Sequence, residues 1–274
     1  MIGLSRSAGW FLAVCVFVLC SAWVADAGVV AEMVRYTKGS AKREKFRILM
    51  SENKLKFDEQ GGGVETIFNL NTGEIIYVDV AGKTYTQVRL VDFVKYMKER
   101  TGKIGKELEA QLSQLPPEKR AQIEEMMKAQ GQSLPGSEFQ PINIKVKDTG
   151  VTDTIAGYKA QKFEIYEDGK LHEELWISRE DVFKKEFDMK KLSGFFKDFR
   201  RLGTGRPQTE GDKMLDDVYG SGFPLKTVTY MPMGGVMVEE VSKITKAGLA
   251  ESEFLPPKGY RRVPMEQMMG GLGR

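Results

Sequence analysis

Apolar and polar side chains alternate along most of the chain between residues 29 and 88. A period of two is typical of strands that bury one face and expose the other. The alternating runs are short, and turn residues such as Asn71-Thr72-Gly73 and Ala81-Gly82 separate them. Short strands at regular spacing, joined by Gly or Asn turns, predict an antiparallel meander over this region.

The clearest hairpin pattern lies between residues 151 and 178, where two alternating runs flank Glu167-Asp168-Gly169. A two-residue Asp-Gly loop would place Phe163 opposite Glu174, and a shift of one residue moves every side chain to the other face. We therefore predict a three-residue loop with its glycine in the left-handed conformation. That register places Lys162 opposite Glu174. It also gathers five apolar side chains on one face, namely Phe163, Ile165, Leu171, Leu175 and Ile177.

Two segments change to a helical period. Apolar residues recur every three or four positions between residues 90 and 130, and Pro116-Pro117 divides this stretch into two helices. The pair is inserted between two runs of strands, and we interpret it either as a lid or as a cover on an open sheet edge. Arg179–Leu202 predicts another helix, with phenylalanines along one stripe and lysines on the other face. We expect both helical segments to lie against the sheet.

These elements predict a single α+β domain over residues 28–262, in which helices cover a curved antiparallel sheet. A last hairpin between residues 222 and 245 completes the sheet. Residues 263–274 are rich in Met and Gly, and we predict that they form a flexible tail. At this length the chain can bury one large core.

The first 27 residues have the pattern of a secretory signal peptide. Arg6 supplies the positive charge, an apolar run covers residues 10–19, and an A-x-A motif ends at Ala27. We predict cleavage after Ala27 and export to the periplasm. Two alternatives are a lipoprotein signal ending at Cys20, which the large residue before that cysteine disfavours, and a retained N-terminal anchor.

Charge and residue usage exclude several classes of function. Without the predicted signal the chain keeps a net charge of +3, which is too balanced to indicate nucleic-acid binding. Cys15 and Cys20 both lie in the signal, so the exported chain has no disulfide and no thiolate metal site. His172 is the only histidine, which excludes a two-histidine metal centre, and no G-x-S-x-G motif accompanies it. We therefore predict no catalytic residues, no metal and no cofactor.

Two groups of side chains leave alternatives open. Methionines cluster near residues 231–237 and 265–269, where they either fill apolar gaps or bind Cu(I) through their thioethers. The phenylalanine stripe of Arg179–Leu202 has three interpretations, which are core packing, the lining of an acyl-chain cavity, and a helix on a membrane surface. Core packing is the simplest of the three.

Five short motifs, in their order along the chain, resemble a bacterial envelope family known as domain of unknown function 4412. They are Lys83-Thr84-Tyr85, Ile155–Tyr158, Trp176–Ser178, Gly222–Leu225, and Phe254 with Pro256–Tyr260. That family is similar to the LolA/LolB-like lipoprotein carriers. The resemblance implies an unclosed antiparallel half-barrel whose concave apolar face is covered by helices and receives acyl chains. The resemblance implies no catalytic residue in this chain. The helical insertion at residues 90–130 is a difference from the carriers.

Pattern and resemblance together lead to a specific hypothesis. We expect a non-enzymatic periplasmic protein that binds an apolar or lipidated ligand, such as a lipoprotein acyl chain, in the half-barrel groove. The alternative is a structural or interaction module of the cell envelope that contacts a protein partner or the membrane surface. The candidate groove residues are Phe183, Phe187, Phe195, Phe196, Met97 and Trp176.

Overall fold

The computed structural model describes five stretches of the chain, which are residues 28–59, 63–129, 142–200, 208–231 and 234–271. The signal peptide predicted over residues 1–27 lies outside the described residues, as does the segment 130–141. None of the described helices combines the length and the apolar character that a bilayer crossing requires.

The described residues form twelve strands, six α-helices and one 3-10 helix. The strands are β1 Val29–Thr37, β2 Glu44–Ser51, β3 Lys54–Glu59, β4 Val64–Asn69, β5 Glu74–Asp79, β6 Thr84–Arg89, β7 Ile144–Ile155, β8 Tyr158–Glu167, β9 Lys170–Ser178, β10 Phe223–Tyr230, β11 Val236–Lys246 and β12 Arg261–Arg262. The helices are α1 Leu90–Ser113, α2 Pro117–Ala129, α3 Asp181–Glu186, α4 Met189–Arg200, α5 Glu210–Ser221, the 3-10 helix Glu251–Phe254 and α6 Met265–Gly271.

All of these strands belong to one open sheet, in the order β12-β6-β5-β4-β3-β2-β1-β11-β10-β9-β8-β7. Neighbours are antiparallel except β12 and β6, which run parallel. The predicted meander is the run β1–β6, and it joins the C-terminal strands where β1 pairs with β11. The predicted α+β class and unclosed antiparallel sheet are therefore confirmed.

The sheet is curved, and helices lie on its concave face. Phe183 in α3 contacts Tyr158 in β8 at 5.5 Å between ring centroids, and Phe195 in α4 contacts Phe68 in β4 at 5.8 Å. A flat sheet would place β4 and β8 about 34 Å apart, at seven spacings of about 4.8 Å. Residues 183–195 lie in α3 and α4, which the extended Phe187 separates, and they span no more than about 25 Å. The sheet must therefore bend around the helices.

A single apolar cluster fills the concave face, and we call it the inner cluster. Strands of both halves of the sheet supply it, with residues such as Ala31, Ile48 and Leu225. Helices α1, α3, α4 and α6 close it from the other side through Phe93, Phe183 and further apolar side chains. A separate cluster of Ile144, Phe163, Ile165, Leu175 and Ile177 packs against apolar side chains of α5.

The turn of the β8–β9 hairpin differs from the predicted one. Asp168 and Gly169 both have positive φ, at 49° and 80°, and form a two-residue loop between the paired Glu167 and Lys170. His172 is then an extra residue on β9, because Tyr166 pairs with Leu171 while Ile165 pairs with Glu173. This β-bulge restores the phase, so Phe163 still faces Leu175. Two predictions are wrong as a result. Lys162 pairs with Trp176 and not with Glu174, and Leu171 pairs with Tyr166, on the face opposite to Phe163 and Leu175.

The helix predicted over Arg179–Leu202 is broken into α3 and α4. Phe187 between them is extended, with φ −150° and ψ 124°. Asn53, in the β2–β3 turn, holds this break: its backbone N–H donates to the carbonyl of Glu186 at 2.9 Å, and its side-chain oxygen accepts from the N–H of Asp188 at 2.8 Å. The Asp188 carboxylate in turn accepts from the backbone of Lys191 at 3.0 Å and so caps α4.

The C-terminal segment wraps around the β6 edge of the sheet. Phe254 is buried on the outer face, in a cluster with Leu49, Ile67, Ile76 and Val78, and β12 then pairs with β6. Met265 packs into the inner cluster, and Met268 is also buried. Residues 263–271 are thus part of the fold, contrary to the prediction of a flexible tail, because their methionines fill apolar space against the sheet.

Candidate binding site

The structure brings all six predicted groove residues into contact with the inner cluster, but at different depths. Phe183 and Phe187 are each only 1% exposed and belong to the buried core. The other four are half-buried at its periphery: Met97, Trp176, Phe195 and Phe196. The first two therefore hold the fold together, whereas the last four can reach a ligand.

Phe183 sits in a stack of rings at one end of the inner cluster. Its ring lies 4.8 Å from that of Phe223 at an interplanar angle of 13°, and Tyr158 packs on it from β8. Phe183 thereby ties α3 to β8 and β10. The membrane-surface interpretation of the phenylalanine stripe does not fit this residue or Phe187, since both are enclosed by protein.

A second aromatic group lies where α4 crosses β3 and β4. The ring of Phe68 is 5.0 Å from that of Phe196 and 5.8 Å from that of Phe195, and Phe57 meets it edge-on at 5.8 Å. Phe68 is buried, but Phe57, Phe195 and Phe196 keep partial exposure. Edge-to-face rings of this kind make an apolar wall at the margin of the inner cluster.

Trp176 lies on the opposite side of β9 from the buried Leu175 and Ile177, because side chains alternate along a strand. It packs against the inner cluster and lies 6.0 Å from the ammonium of Lys162. Residues 28–274 contain no other tryptophan. Its fluorescence therefore reports on this one place in the fold.

A network of charged groups borders Trp176 on β8, β9 and β10. The Lys162 ammonium lies 3.0 Å from Glu174 and 3.4 Å from Glu164, and the hydroxyl of Tyr230 donates to Glu174 at 3.1 Å. The hydroxyl of Tyr166 donates to Glu164 at 2.8 Å, and this bond is the main cause that lowers the pKa of that carboxyl. Each charged side chain of this network has a partner within it. The network therefore forms a polar border to the apolar surface around Trp176.

Tyr77 of β5 places a hydroxyl among the apolar side chains of the inner cluster, beside Phe93 at 5.6 Å between rings. Burial raises the pKa of Tyr77 to about 12. The folded state thus favours the neutral phenol, and the stability that this gives is present below pH 10 and is lost as the pH rises toward 12.

The Tyr77→Phe variant is expected to lose less stability than the wild type between pH 10 and 12, because it has no phenol to ionise. Urea unfolding at a series of alkaline pH values measures this difference. Absorbance at 295 nm should show one tyrosine fewer titrating late in the variant. Equal alkaline sensitivity of the two proteins would mean that Tyr77 is solvated in the fold.

A cavity beside the β9 bulge has several polar lining residues and was not predicted as a site from the sequence. His172, Glu173, Lys197 and Asp212 line it together with Tyr219, whose hydroxyl donates to Glu173 at 3.0 Å. His172 Nδ1 lies 3.8 Å from a carboxylate oxygen of Glu167. His172 is the extra residue of the bulge and lines this cavity. The sequence carries no local signal for a bulge at this position.

In the described part of the chain, no group of three or more His, Cys, Asp or Glu residues is arranged to hold an ion. Met265 and Met268 are buried, which favours the packing interpretation of that methionine cluster. Met233, part of the other methionine cluster, lies outside the described residues.

Comparison with known proteins gives one family and a set of similar backbones. The family model described as Domain of unknown function (DUF4412) matches residues 105–260. No curated protein matches the chain.

The similar solved structures are distant. PNGF-II is 11% identical at a TM-score of 0.43, covering 90% of this chain and 33% of its own. The structure of the MucA/MucB complex of Pseudomonas aeruginosa is 10% identical in sequence at a TM-score of 0.37. The match covers 87% of this chain and 58% of that chain. A DUF1329 family protein from Desulfovibrio piger is 12% identical in sequence at a TM-score of 0.30. The match covers 85% of this chain and 91% of that chain. The chain thus spans about a third of PNGF-II.

Proposed function

This chain belongs to the family described as Domain of unknown function (DUF4412), which assigns no activity, and we propose that it is a non-enzymatic, exported protein of the cell envelope. It holds an apolar or lipidated ligand between the concave face of its sheet and the helices that cover it. The ligand is a hydrocarbon chain of the kind found on lipids and lipoproteins.

The half-buried aromatic and methionine side chains around the inner cluster carry this proposal. Phe57 on the sheet, Phe195 and Phe196 on α4, and Met97 on α1 all pack against the same apolar cluster. Side chains that serve the core alone are normally enclosed, as Phe183 is. Rings that are half open on two facing elements can separate and accept a chain between them.

Helix α1 is attached in a way that permits such a separation. Its first turns pack on the sheet through Leu90, Phe93 and Val94, all buried. Farther along, Ile104 is 54% exposed, and Gly102 lowers the helical propensity of the middle of α1. Leu112 is buried at 4% near the end of α1, so the burial of this one side chain and few other apolar contacts have to be given up for the distal part of the helix to move away.

Trp176 makes the proposal directly testable with residues 28–274. Dibrominated stearic acid, titrated into the protein, is expected to quench the tryptophan fluorescence to saturation, since bromine quenches only at close range. Unbrominated stearic acid is the control for changes of fluorescence that do not depend on contact. A protein whose emission stays constant with the brominated acid does not bind an acyl chain at this cluster.

Met97→Asp locates the binding site on the helical cover. A carboxylate facing the hydrocarbon without a partner costs more than 1.4 kcal/mol, so the affinity for stearic acid should fall at least about tenfold. Val91→Asp is the matched control, because Val91 lies on the same helix and is 63% exposed. Equal affinities of the two variants, with both folded by circular dichroism, would place the ligand elsewhere.

A protein partner in the envelope is the second candidate. Among the described strands β7 pairs only with β8, so one side of its backbone is open to an added strand. Val151 on this strand is half exposed. Cross-linking that captures a single envelope protein, together with no quenching of Trp176 by the brominated acid, would favour this candidate over the lipid carrier.

A further inference from the structure

Two turns lie side by side where the C-terminal segment reaches the edge of the sheet. The backbone N–H of Arg261 donates to the carbonyl of Lys83 at 3.0 Å. The hydroxyl of Tyr260 reaches the carbonyl of Val80 at 3.5 Å, and the N–H of Tyr260 closes a turn on Pro257 at 3.2 Å. These bonds fix the β5–β6 turn against residues 257–261.

Four cations are exposed at this place: Lys83, Lys258, Arg261 and Arg262. Arg262 donates to the carbonyl of Gln87 at 3.0 Å, which directs its guanidinium along β6. No carboxylate of the described residues lies within ion-pair distance of the other three. We call this group of four, together with Leu255, the basic corner.

The acidic residues near the basic corner are engaged elsewhere. Asp79 accepts from the backbone of Gly82 at 2.9 Å within the β5–β6 turn. Glu251 pairs with Lys54 and Glu253 lies 3.8 Å from Lys56, both on the outer face. The four cations of the corner thus make no ion pair with a described carboxylate, and together they give this surface a positive field.

Leu255 adds an apolar tip to this surface. It is 48% exposed although the residue before it, Phe254, is buried in the outer cluster at 3%. Pro256 and Pro257 follow directly and restrict the backbone. The leucine is thus held outward on a stiff, well-anchored segment, which is an unfavourable place for an apolar side chain in water alone.

We propose that the basic corner docks the protein on the surface of an anionic phospholipid bilayer, with Leu255 entering the interface. Lysine and arginine side chains close to such a surface each strengthen binding about fivefold, and an apolar side chain among them adds a contact that salt does not screen. Several exposed cations beside an exposed leucine match the charged headgroups and the apolar interior of such a bilayer. The proposal does not depend on the acyl-chain site.

Sedimentation with vesicles tests the docking surface. Residues 28–274 are expected to sediment with phosphatidylcholine vesicles that contain phosphatidylglycerol, not with pure phosphatidylcholine, and less as salt rises. The double variant Lys258→Glu with Arg261→Glu should bind at least about 25-fold more weakly. Lys159→Glu with Lys213→Glu is the control, because it changes the net charge equally at exposed sites away from the corner.

A fluorescent label tests the part played by Leu255. Residues 28–274 have no cysteine, so Leu255→Cys takes a polarity-sensitive dye at one site, and Val91→Cys is the labelled control. When anionic vesicles are added, the emission maximum of the dye should move to shorter wavelength at position 255 and stay unchanged at position 91. No binding to anionic vesicles, equal binding of the two double variants, or a dye at 255 that stays in water would overturn the proposal. The corner variant should still show Trp176 quenching by brominated stearic acid.

Discussion

Replacing Phe183 with alanine is expected to lower the free energy of unfolding by about 3–5 kcal/mol. The side chain is only 1% exposed, and its ring stacks on Phe223 and contacts Tyr158. Since α3, β8 and β10 meet at this ring, the neighbours cannot collapse into the space without moving a strand. A cavity that cannot collapse falls at the upper end of the range for this kind of substitution.

Urea unfolding of residues 28–274, followed by Trp176 fluorescence, measures this effect. Phe183→Leu keeps most of the volume and should cost less than half as much. Phe195→Ala is the comparison on α4, and it should be milder because that ring is half-buried. If Phe195→Ala were the more damaging of the two, the stripe would be anchored through α4 and not through α3.

The alternating pattern was sufficient to predict the strands and their antiparallel order within each hairpin. It could not predict the β8–β9 turn, because two local solutions put Phe163 on the same face of the sheet. A three-residue loop and a two-residue loop followed by a bulge both place Phe163 on the face of Leu175 and Ile177. The structure adopts the second, which pairs Phe163 with Leu175 and Lys162 with Trp176.

The helical segments show a different limit. Helical periodicity continues through Phe187 and Asp188, and nothing near them in sequence requires an interruption. The hydrogen bonds that hold the break come from Asn53, which lies more than 130 residues earlier in the chain. The burial of Met265 likewise depends on β12 reaching the β6 edge, which a Met- and Gly-rich composition does not indicate.

For the site, periodicity grouped the right residues but could not rank them by depth. Phe183 and Phe196 occupy equivalent places in the stripe, yet one is enclosed by β8 and β10 and the other faces Phe68 at the margin. That distinction depends on the curvature of the sheet. The cavity beside His172 was not predicted, since its lining residues come from β7, β8, β9, α4 and α5, which are far apart in the sequence.

Gly211→Ala and Gly194→Ala are expected to change stability in opposite directions. Both glycines lie in helices, where alanine is favoured by up to about 1 kcal/mol. A Cβ at Gly194 in α4 would meet nothing within 4 Å, so that variant should gain stability. A Cβ at Gly211 in α5 would clash with the backbone carbonyl oxygen of Ile144, and α5 would have to move off β7.

The expected cost at Gly211 is at least about 1–3 kcal/mol, which exceeds the gain in helical propensity. The contact is with backbone at the start of β7, so no side-chain rotation can relieve it. Urea unfolding of the two variants gives the comparison, and hydrogen exchange of the β7 amides should show local opening only for Gly211→Ala. A stabilising Gly211→Ala would mean that α5 does not dock closely on β7, and that the apolar cluster of Phe163 and Leu175 is covered in another way.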